Sequence, residues 1–502
     1  MKKIVNPAHS KNAASSMIRL LLWVLVMSAA VTAISWPAFR HPFDVDSVHY
    51  IDMAEGRVHT VTKPFSGRIF HPLLAGTLAR LTRLSIHQCF VALGICALVT
   101  LLVGMSYIAR TLGSQELVVL AFMFTPLLAG LAGQYYLPDL LYAALAALFF
   151  LFMGRERLWL AAAMLFLLYA TRESALLLGI TVALVGAYTS RWRMVFATVA
   201  VSCLGIMASR WASSLGQPNI HSVSDSAYLV GKVVYNFAKN VLGIKLWTNT
   251  LAAKMAGTFP EAPQWKVAIP NGLGLGGIHE VGLYALAPEY PVKTLAALLT
   301  TFGALPLVLV MGLARGARSM LRRWKEQPMV LGALVYGGAA FVLGTSVGAS
   351  VERLVGYGWP AFWIAVPVLL QECHRLEGPV LGRFLGYHAA ICWGPFIMEE
   401  VGVRQPALMV GSVGLALALY VCVGVELRRL GVAGQTDTAS PRDVIDRPCT
   451  SRHRSLVQAC RVTRSSGAEE VALDPPSSQH RCKHRRPGDH RVAVGRCHAL
   501  RA

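Results

Sequence analysis

The chain has 502 residues, 55% of them hydrophobic and 15% charged, with a net charge of +21 and a mean hydropathy of +0.50. A soluble domain carries roughly 25% charged residues, so this composition excludes an ordinary soluble globular protein. Apolar runs recur along most of the length, each about 20 residues and able to cross a hydrocarbon core of about 30 Å as a helix. They are continuous rather than alternating, which excludes a transmembrane barrel.

The fold class expected is therefore all-α: a polytopic helical membrane protein with about twelve transmembrane helices. The apolar runs fall near 17–36, 89–109, 116–133, 138–154, 158–171, 174–189, 194–212, 292–314, 329–348, 356–371, 381–398 and 407–427. The first is longer than a signal-peptide core and has no small-residue cleavage site followed by a soluble domain, so it reads as the first span. Lys2, Lys3, Lys11 and Arg19 precede or open it. Basic residues then mark every second loop: Arg110, "RER" at 155–157, "SRWR" at 190–193, "RGARSMLRRWK" at 315–325, Arg375 with Arg383, and Arg428 with Arg429. By the positive-inside rule those loops and both termini face the cytoplasm, as in a bacterial-type inner-membrane protein. The same rule, with anionic lipid headgroups, accounts for the net positive charge without nucleic acid.

Three domains are expected: a cytoplasmic N-terminus (1–16), a transmembrane domain (17–430) and a basic, disordered cytoplasmic tail (431–502). Two long outer loops, 37–88 and 213–291, belong to the second. Within the first, "IFHPLLAGTLARLTRL" (69–84) has apolar residues at helical spacing with Arg80 and Arg83 on another face, which suits an interfacial helix. The second is rich in Gly, Pro and Asn and reads as surface structure with short helices. The tail holds Cys482, His484, His490, Cys497 and His498, but no paired CxxC, so its spacing does not support a zinc site.

The polar islands are few. "WPAFRHPFDVDSVHYIDMAEG" (36–56) follows the first span and carries Asp44, Asp46, His49, Asp52 and Glu55. Asp46 is placed to cap a short helix over 47–55 that Gly56 ends. The same aspartate at a helix N-terminus is held ionised and able to accept a proton or bind a cation, and local sequence does not choose between the two. "QYYLPDLLY" sets Asp139 at the outer mouth of the fourth span. "YATRESALL" places Arg172 and Glu173 between two short spans, "SVERLVGYGWP" places Glu352 and Arg353 between two later ones, and "MEEVGVRQP" adds Glu399, Glu400 and Arg404. Ionisable groups at membrane depth are costly and tend to serve function. Together these put carboxylates and guanidiniums on one face, where an arginine fork matches phosphate oxygens.

This arrangement resembles the C-type (GT-C) superfamily of polytopic, polyprenyl-phosphate-sugar-dependent glycosyltransferases. Their mark is an acidic motif in the first outer loop. In the lipid A and protein mannosyl branches it is an Asp-Glu pair followed by Tyr and Ala at four-residue steps; here Asp46, Tyr50 and Ala54 fall on those steps and Ser47 replaces the Glu. In the Asp-x-Asp branches the pair would be Asp44 and Asp46. "KPFSGRIFHPLLAG" (63–76), "LPDLL", "TRESALLL" and "ERLVGYGWP" are similar to further segments of the family, and the resemblance spans roughly 15–430.

The resemblance implies an enzyme that moves a sugar from a polyprenyl-phosphate carrier to an envelope glycan, lipid or protein on the outer face, with inversion. Asp46, with Asp44 as alternate or partner, would be the general base. Arg68, Asp139, Arg172, Glu173, Glu352 and Arg353 are the candidate substrate-binding residues, with Arg172 or Arg353 steadying the leaving phosphate. No cofactor is required; a divalent cation, Mg or Mn, could bridge Asp44, Asp46 and the phosphate, though no third ligand is evident. The rival reading is a transporter or flippase of lipid-linked or envelope precursors, which would favour inverted repeats and helices broken at mid-bilayer. A structural scaffold would leave the acidic cluster unexplained.

Overall fold

The chain divides into two units, Met1–Asp437 and Thr438–Ala502. The computed structural model describes residues 7–40, 46–62, 65–217, 225–249, 266–268, 279–347, 350–374, 378–400 and 406–436. The tail expected from 431 therefore lies outside the described residues beyond Thr436, and the last helix continues to that residue.

Each of the twelve apolar runs falls on helix. In chain order these are α1 (Pro7–Arg40), α2 (Ser47–Ala54), α3 (Phe70–Thr82), α4 (Ile86–Thr111), α5 (Glu116–Met123), α6 (Pro126–Gly133), α7 (Asp139–Gly154), α8 (Leu158–Thr171), α9 (Ala175–Tyr188), α10 (Trp192–Ser214) and α11 (Asp225–Leu242). After a small sheet come α12 (Glu289–Phe302), α13 (Leu305–Glu326), α14 (Pro328–Val347), α15 (Val351–Gly356), a π-helical turn at Pro360–Ala365, α16 (Val366–His374), α17 (Gly378–Glu400) and α18 (Pro406–Thr436). The protein is a helical membrane protein. Its core is a continuous block of Leu, Val, Ala and aromatic side chains, including Phe122, Tyr142, Phe150, Trp359 and Trp363, to which α4, α5, α7, α8, α14 and the π turn with its preceding residues contribute.

Among the described residues, five helices are long and apolar enough to cross a membrane, or seven if each of two bent pairs is one span. The run at 116–133 bends by 68° between α5 and α6, and the run at 292–314 bends by 83° between α12 and α13. Thr125 is extended and Pro126 begins the next helix at the first break. Gly303, at φ +52, makes the second. The freed carbonyls stay paired: Trp393 Nε1 donates to Phe124 at 3.0 Å and the Tyr420 hydroxyl donates to Gly303.

Helices α7, α8 and α9 have only 16, 14 and 14 residues. A 14-residue helix rises about 21 Å, short of a hydrocarbon layer of about 30 Å.

The second long loop holds more than short helices. Strands β1 (Ile244–Thr248), β2 (Lys266–Ala268) and β3 (Glu280–Leu286) form an antiparallel sheet in the order β1-β3-β2. The sheet is a small addition to a structure that is otherwise helical, as expected. With only five, three and seven residues, the strands are too short to stand out from a Gly-rich loop.

The first long loop is packed down rather than merely lying on the bundle. Helix α3 forms over 70–82 as its spacing predicts, but His71, Pro72, Ala75 and Gly76 are buried between α2 and α4. A Cβ at Gly76 would collide with the Ala54 carbonyl, so only glycine allows α2 and α3 to meet there. The segment after α2 is fixed to the end of α10, where Gln217 N donates to the Val61 carbonyl at 2.9 Å. Ser85 and Gln88 form a capping box that starts α4.

Candidate functional site

Asp46 stands at the N-cap of α2, yet its side chain makes no capping hydrogen bond. The capping reading of this residue is thus not what forms. Its carboxylate instead faces Arg353, with Oδ2 3.9 Å from Nη2 and side-chain exposures of 29% and 16%. Arg353 Nε is buried with no hydrogen-bond partner among the described residues. The other carboxylates of the same stretch are ordinary surface pairs: Arg57 binds Asp52 at 2.5 Å and also pairs with Glu55. Asp44, Lys63 and Arg404 lie outside the described residues, as do the side chains of Glu399 and Glu400.

Two further ion pairs adjoin this one. Arg68 binds Glu173 through both nitrogens of its fork, with Nε to Oε2 at 2.8 Å and Nη2 to Oε1, while Nη1 donates to the Tyr50 hydroxyl at 3.0 Å. Arg172 binds Asp139, and the Tyr357 hydroxyl donates to the same carboxylate oxygen. The Arg172 guanidinium also lies 4.9 Å from the Tyr357 ring centroid. Asp139 and Arg172 are nearly inaccessible, at 1% and 6%. The second carboxylate oxygen of Asp139 is buried with no partner among the described residues.

These contacts close a ring. Asp46 and Tyr50 are one turn apart on α2. Tyr50 meets Arg68, Arg68 meets Glu173, Arg172 beside it meets Asp139, and Asp139 meets Tyr357. Tyr357 is one turn beyond Arg353, which faces Asp46. Seven of the eight candidate residues are described. Six of them belong to this ring, and the seventh, Glu352, is exposed on α15 beside Arg353.

The electrostatics follow from burial and pairing. Burial pushes the Tyr50 phenol up, against the pull of Arg68 and Arg172, so the hydroxyl stays neutral. Desolvation by surrounding protein would raise the Glu173 carboxyl, but Arg68, then Arg172, overcome it and hold it at about 2. Burial would lower the Arg68 pKa, but the charge of Glu173 outweighs it and the net shift is upward. His71 is buried in α3 against Phe90, ring centroids 5.0 Å apart, with Nδ1 unpaired among the described residues. Burial lowers its pKa to about 4, despite the opposing charge of Asp139.

Arg172 is thus engaged by Asp139 and Tyr357, whereas Arg353 keeps an unpaired Nε beside Asp46. Of the two arginines expected to steady a phosphate, Arg172 is committed to Asp139 through Nη1, and Arg353 is the one that faces Asp46. Sequence reasoning did not select Tyr50, His71 or Tyr357 for the site. All three stand inside quoted segments, and that was the available signal. A groove of ≈ 550 Å³ lies at the other end of α2, lined by Met53, Gly56, Leu73, Gly76, Ala79 and Arg80 among others. Asp46 does not line it. Among the described residues no three His, Cys, Asp or Glu side chains gather as a metal site.

No family model matches the chain, and no curated protein matches it. Among solved structures it is similar to the crystal structure of ArnT from Cupriavidus metallidurans in the apo state, at 16% identity over 82% of this chain and 76% of that one, with a TM-score of 0.37. A likeness this low carries no argument, so the functional reading rests on the site.

Proposed function

We propose that the chain is a membrane glycosyltransferase that moves a sugar from a polyprenyl-phosphate carrier to an acceptor hydroxyl at the outer face of an inner membrane. The observation that carries this reading is Asp46: a carboxylate at the head of α2, directly after the first span, free of any capping bond and facing a guanidinium with an unpaired Nε. In the proposed reaction Asp46 takes the proton of the acceptor hydroxyl. The acceptor oxygen attacks the anomeric carbon from the face opposite the phosphate, and the carbon–oxygen bond to the phosphate breaks with inversion. The electron pair departs on the phosphate oxygen, and Arg353 meets the charge as it builds. The ring through Tyr50, Arg68, Glu173, Arg172, Asp139 and Tyr357 fixes α2, the α8–α9 turn and α15 against one another, which positions the pair.

The topology belongs to the same proposal: loops 37–88 and 213–291 outside, both termini cytoplasmic. So do Asp44 as alternate base or partner and an optional divalent cation at Asp44 and Asp46. The test is transfer of labelled sugar from a polyprenyl-phosphate donor by purified Asp46→Asn and Asp44→Asn proteins. For the base, transfer drops about 10²–10⁴-fold while the fold persists. Near-normal transfer in both single variants and in the double variant removes the enzyme reading.

The second reading is a transporter or flippase of lipid-linked precursors. The two bent helix pairs favour it, since broken helices line many transport sites. Translocation of a labelled lipid-linked precursor that survives Asp46→Asn would select it.

A further inference from the structure

We propose that Lys239, Lys245 and Lys293, gathered round the Tyr290 ring, form a binding site for a phosphate group. The three ammonium nitrogens lie 4.1, 5.3 and 5.7 Å from one ring centroid. They come from three separate elements, α11, β1 and the first turns of α12. The backbone holds those elements together. Gly243, at φ +67, turns the chain from α11 into β1, and Ala287 N donates to its carbonyl at 2.7 Å. A Cβ at Gly243 would stand 3.2 Å from both the Ala287 carbonyl and Pro291 Cγ, so the turn abuts the start of α12.

Three like charges set around one ring repel one another. The face of an aromatic ring attracts each ammonium but leaves their mutual repulsion in place. Proteins ordinarily relieve such a cluster with a carboxylate, and the neighbouring sheet does so: Lys266 pairs with Glu280 at 3.5 Å. None of Lys239, Lys245 and Lys293 forms an ion pair among the described residues, although Glu289 directly precedes Tyr290. Lys293 is exposed and the other two are half-buried, so the cluster is open to a ligand. A multiply charged oxyanion matches it, because lysine ammoniums bind phosphate as point charges without a fixed fork geometry.

The site is separate from the polar ring: none of the three lysines shares a hydrogen bond or ion pair with it among the described residues. The proposal therefore stands whether or not the chain transfers sugars. The phosphate could arrive on a lipid headgroup or as a free ion, and the experiment separates the two.

The full-length protein in phosphatidylcholine nanodiscs is treated with an amine-acetylating reagent. This is done alone, with inorganic phosphate, and in nanodiscs in which phosphatidylglycerol replaces half the lipid. Acetylation is then read lysine by lysine. Protection of Lys239, Lys245 and Lys293 by about fivefold or more, with Lys266 unchanged, supports the site. Protection by phosphate assigns a free ion, and protection only by phosphatidylglycerol assigns a headgroup. No protection by either overturns the proposal. Binding is then compared in the triple Lys→Gln and triple Lys→Arg proteins. Loss in the first and retention in the second supports it, and equal retention in both overturns it. The footprint on the unaltered protein decides the matter if the Gln variant fails to fold.

Discussion

The Arg353 guanidinium faces the Asp46 carboxylate at 3.9 Å, bringing the first long loop against the short helix before the π turn. The separation is too long for a tight hydrogen bond and both groups keep some exposure, so the pair is worth about 0–1 kcal/mol to the fold. Arg353→Ala should therefore leave the thermal midpoint nearly unchanged. Sugar transfer should fall by about 10²–10³-fold, the loss expected when a donor to a developing oxyanion is removed. Arg353→Lys restores the charge but not the fork and should recover only part of the rate. A large fall in the midpoint with transfer per folded molecule intact would make Arg353 a structural residue.

Asp139 and Arg172 behave in the opposite way. Both are almost fully buried, and Tyr357 shares the carboxylate. Removing one partner strands the other charge, at a cost of roughly 3–5 kcal/mol. Asp139→Asn and Arg172→Met alone should each lower the midpoint strongly. The double variant should be more stable than either, because no buried charge is then uncompensated. Melting curves in detergent for the four proteins test this, and additive losses in the double variant would contradict it.

The contrast shows what the sequence makes legible. Apolar runs are local and long, so every apolar helical region could be read, down to the short pieces that became α7, α8 and α9. The breaks at Thr125 and Gly303 could not, because neither interrupts the hydropathy. The polar islands were visible as islands, since a charge in an apolar chain is conspicuous. Their pairing was not: Arg68 with Glu173 and Arg172 with Asp139 are joined only by the way α7, α8 and α9 pack beneath the first loop. Asp46 as a cap was a sound local inference, and tertiary context replaced it with Arg353. In the sequence Tyr50 is only a step of the family register and Tyr357 only stands inside a quoted segment; the fold sets their hydroxyls on Arg68 and Asp139.

Acidification provides an independent check on the first loop. His71 lies in α3, outside the spans, and its pKa is lowered to about 4 because burial disfavours the charged ring. The unfolded chain, with an ordinary histidine near 6.5, binds that proton first. Stability from this residue is therefore full above about pH 6.5 and is lost as pH falls toward 4, amounting to roughly 3 kcal/mol. The Glu173 carboxyl, held at about 2, keeps its pairing with Arg68 throughout that window. Melting curves between pH 7 and 4 should show a decline that His71→Gln abolishes. A decline of the same size in the variant would place its source elsewhere.

Gly76 links packing to chemistry most directly. A Cβ there would drive into the Ala54 carbonyl at the end of α2, so the residue sets how closely α2 and α3 approach. Gly76→Val should cost about 1–3 kcal/mol by overpacking and push α2 away from the bundle. Asp46, at the opposite end of the same eight-residue helix, would then move relative to Arg353. A displacement near 1 Å is enough to cost about 10²-fold in rate. The main core does not depend on this contact, so the variant should still insert and fold. Gly130→Ala on α6 is the control: a Cβ there meets nothing within 4 Å, and alanine favours helix over glycine by about 1 kcal/mol. Transfer lost in Gly76→Val, with both proteins folded and Gly130→Ala unaffected, would show that the position of α2 governs the reaction. Full transfer in folded Gly76→Val would mean that Asp46 works without the precise seating of its helix.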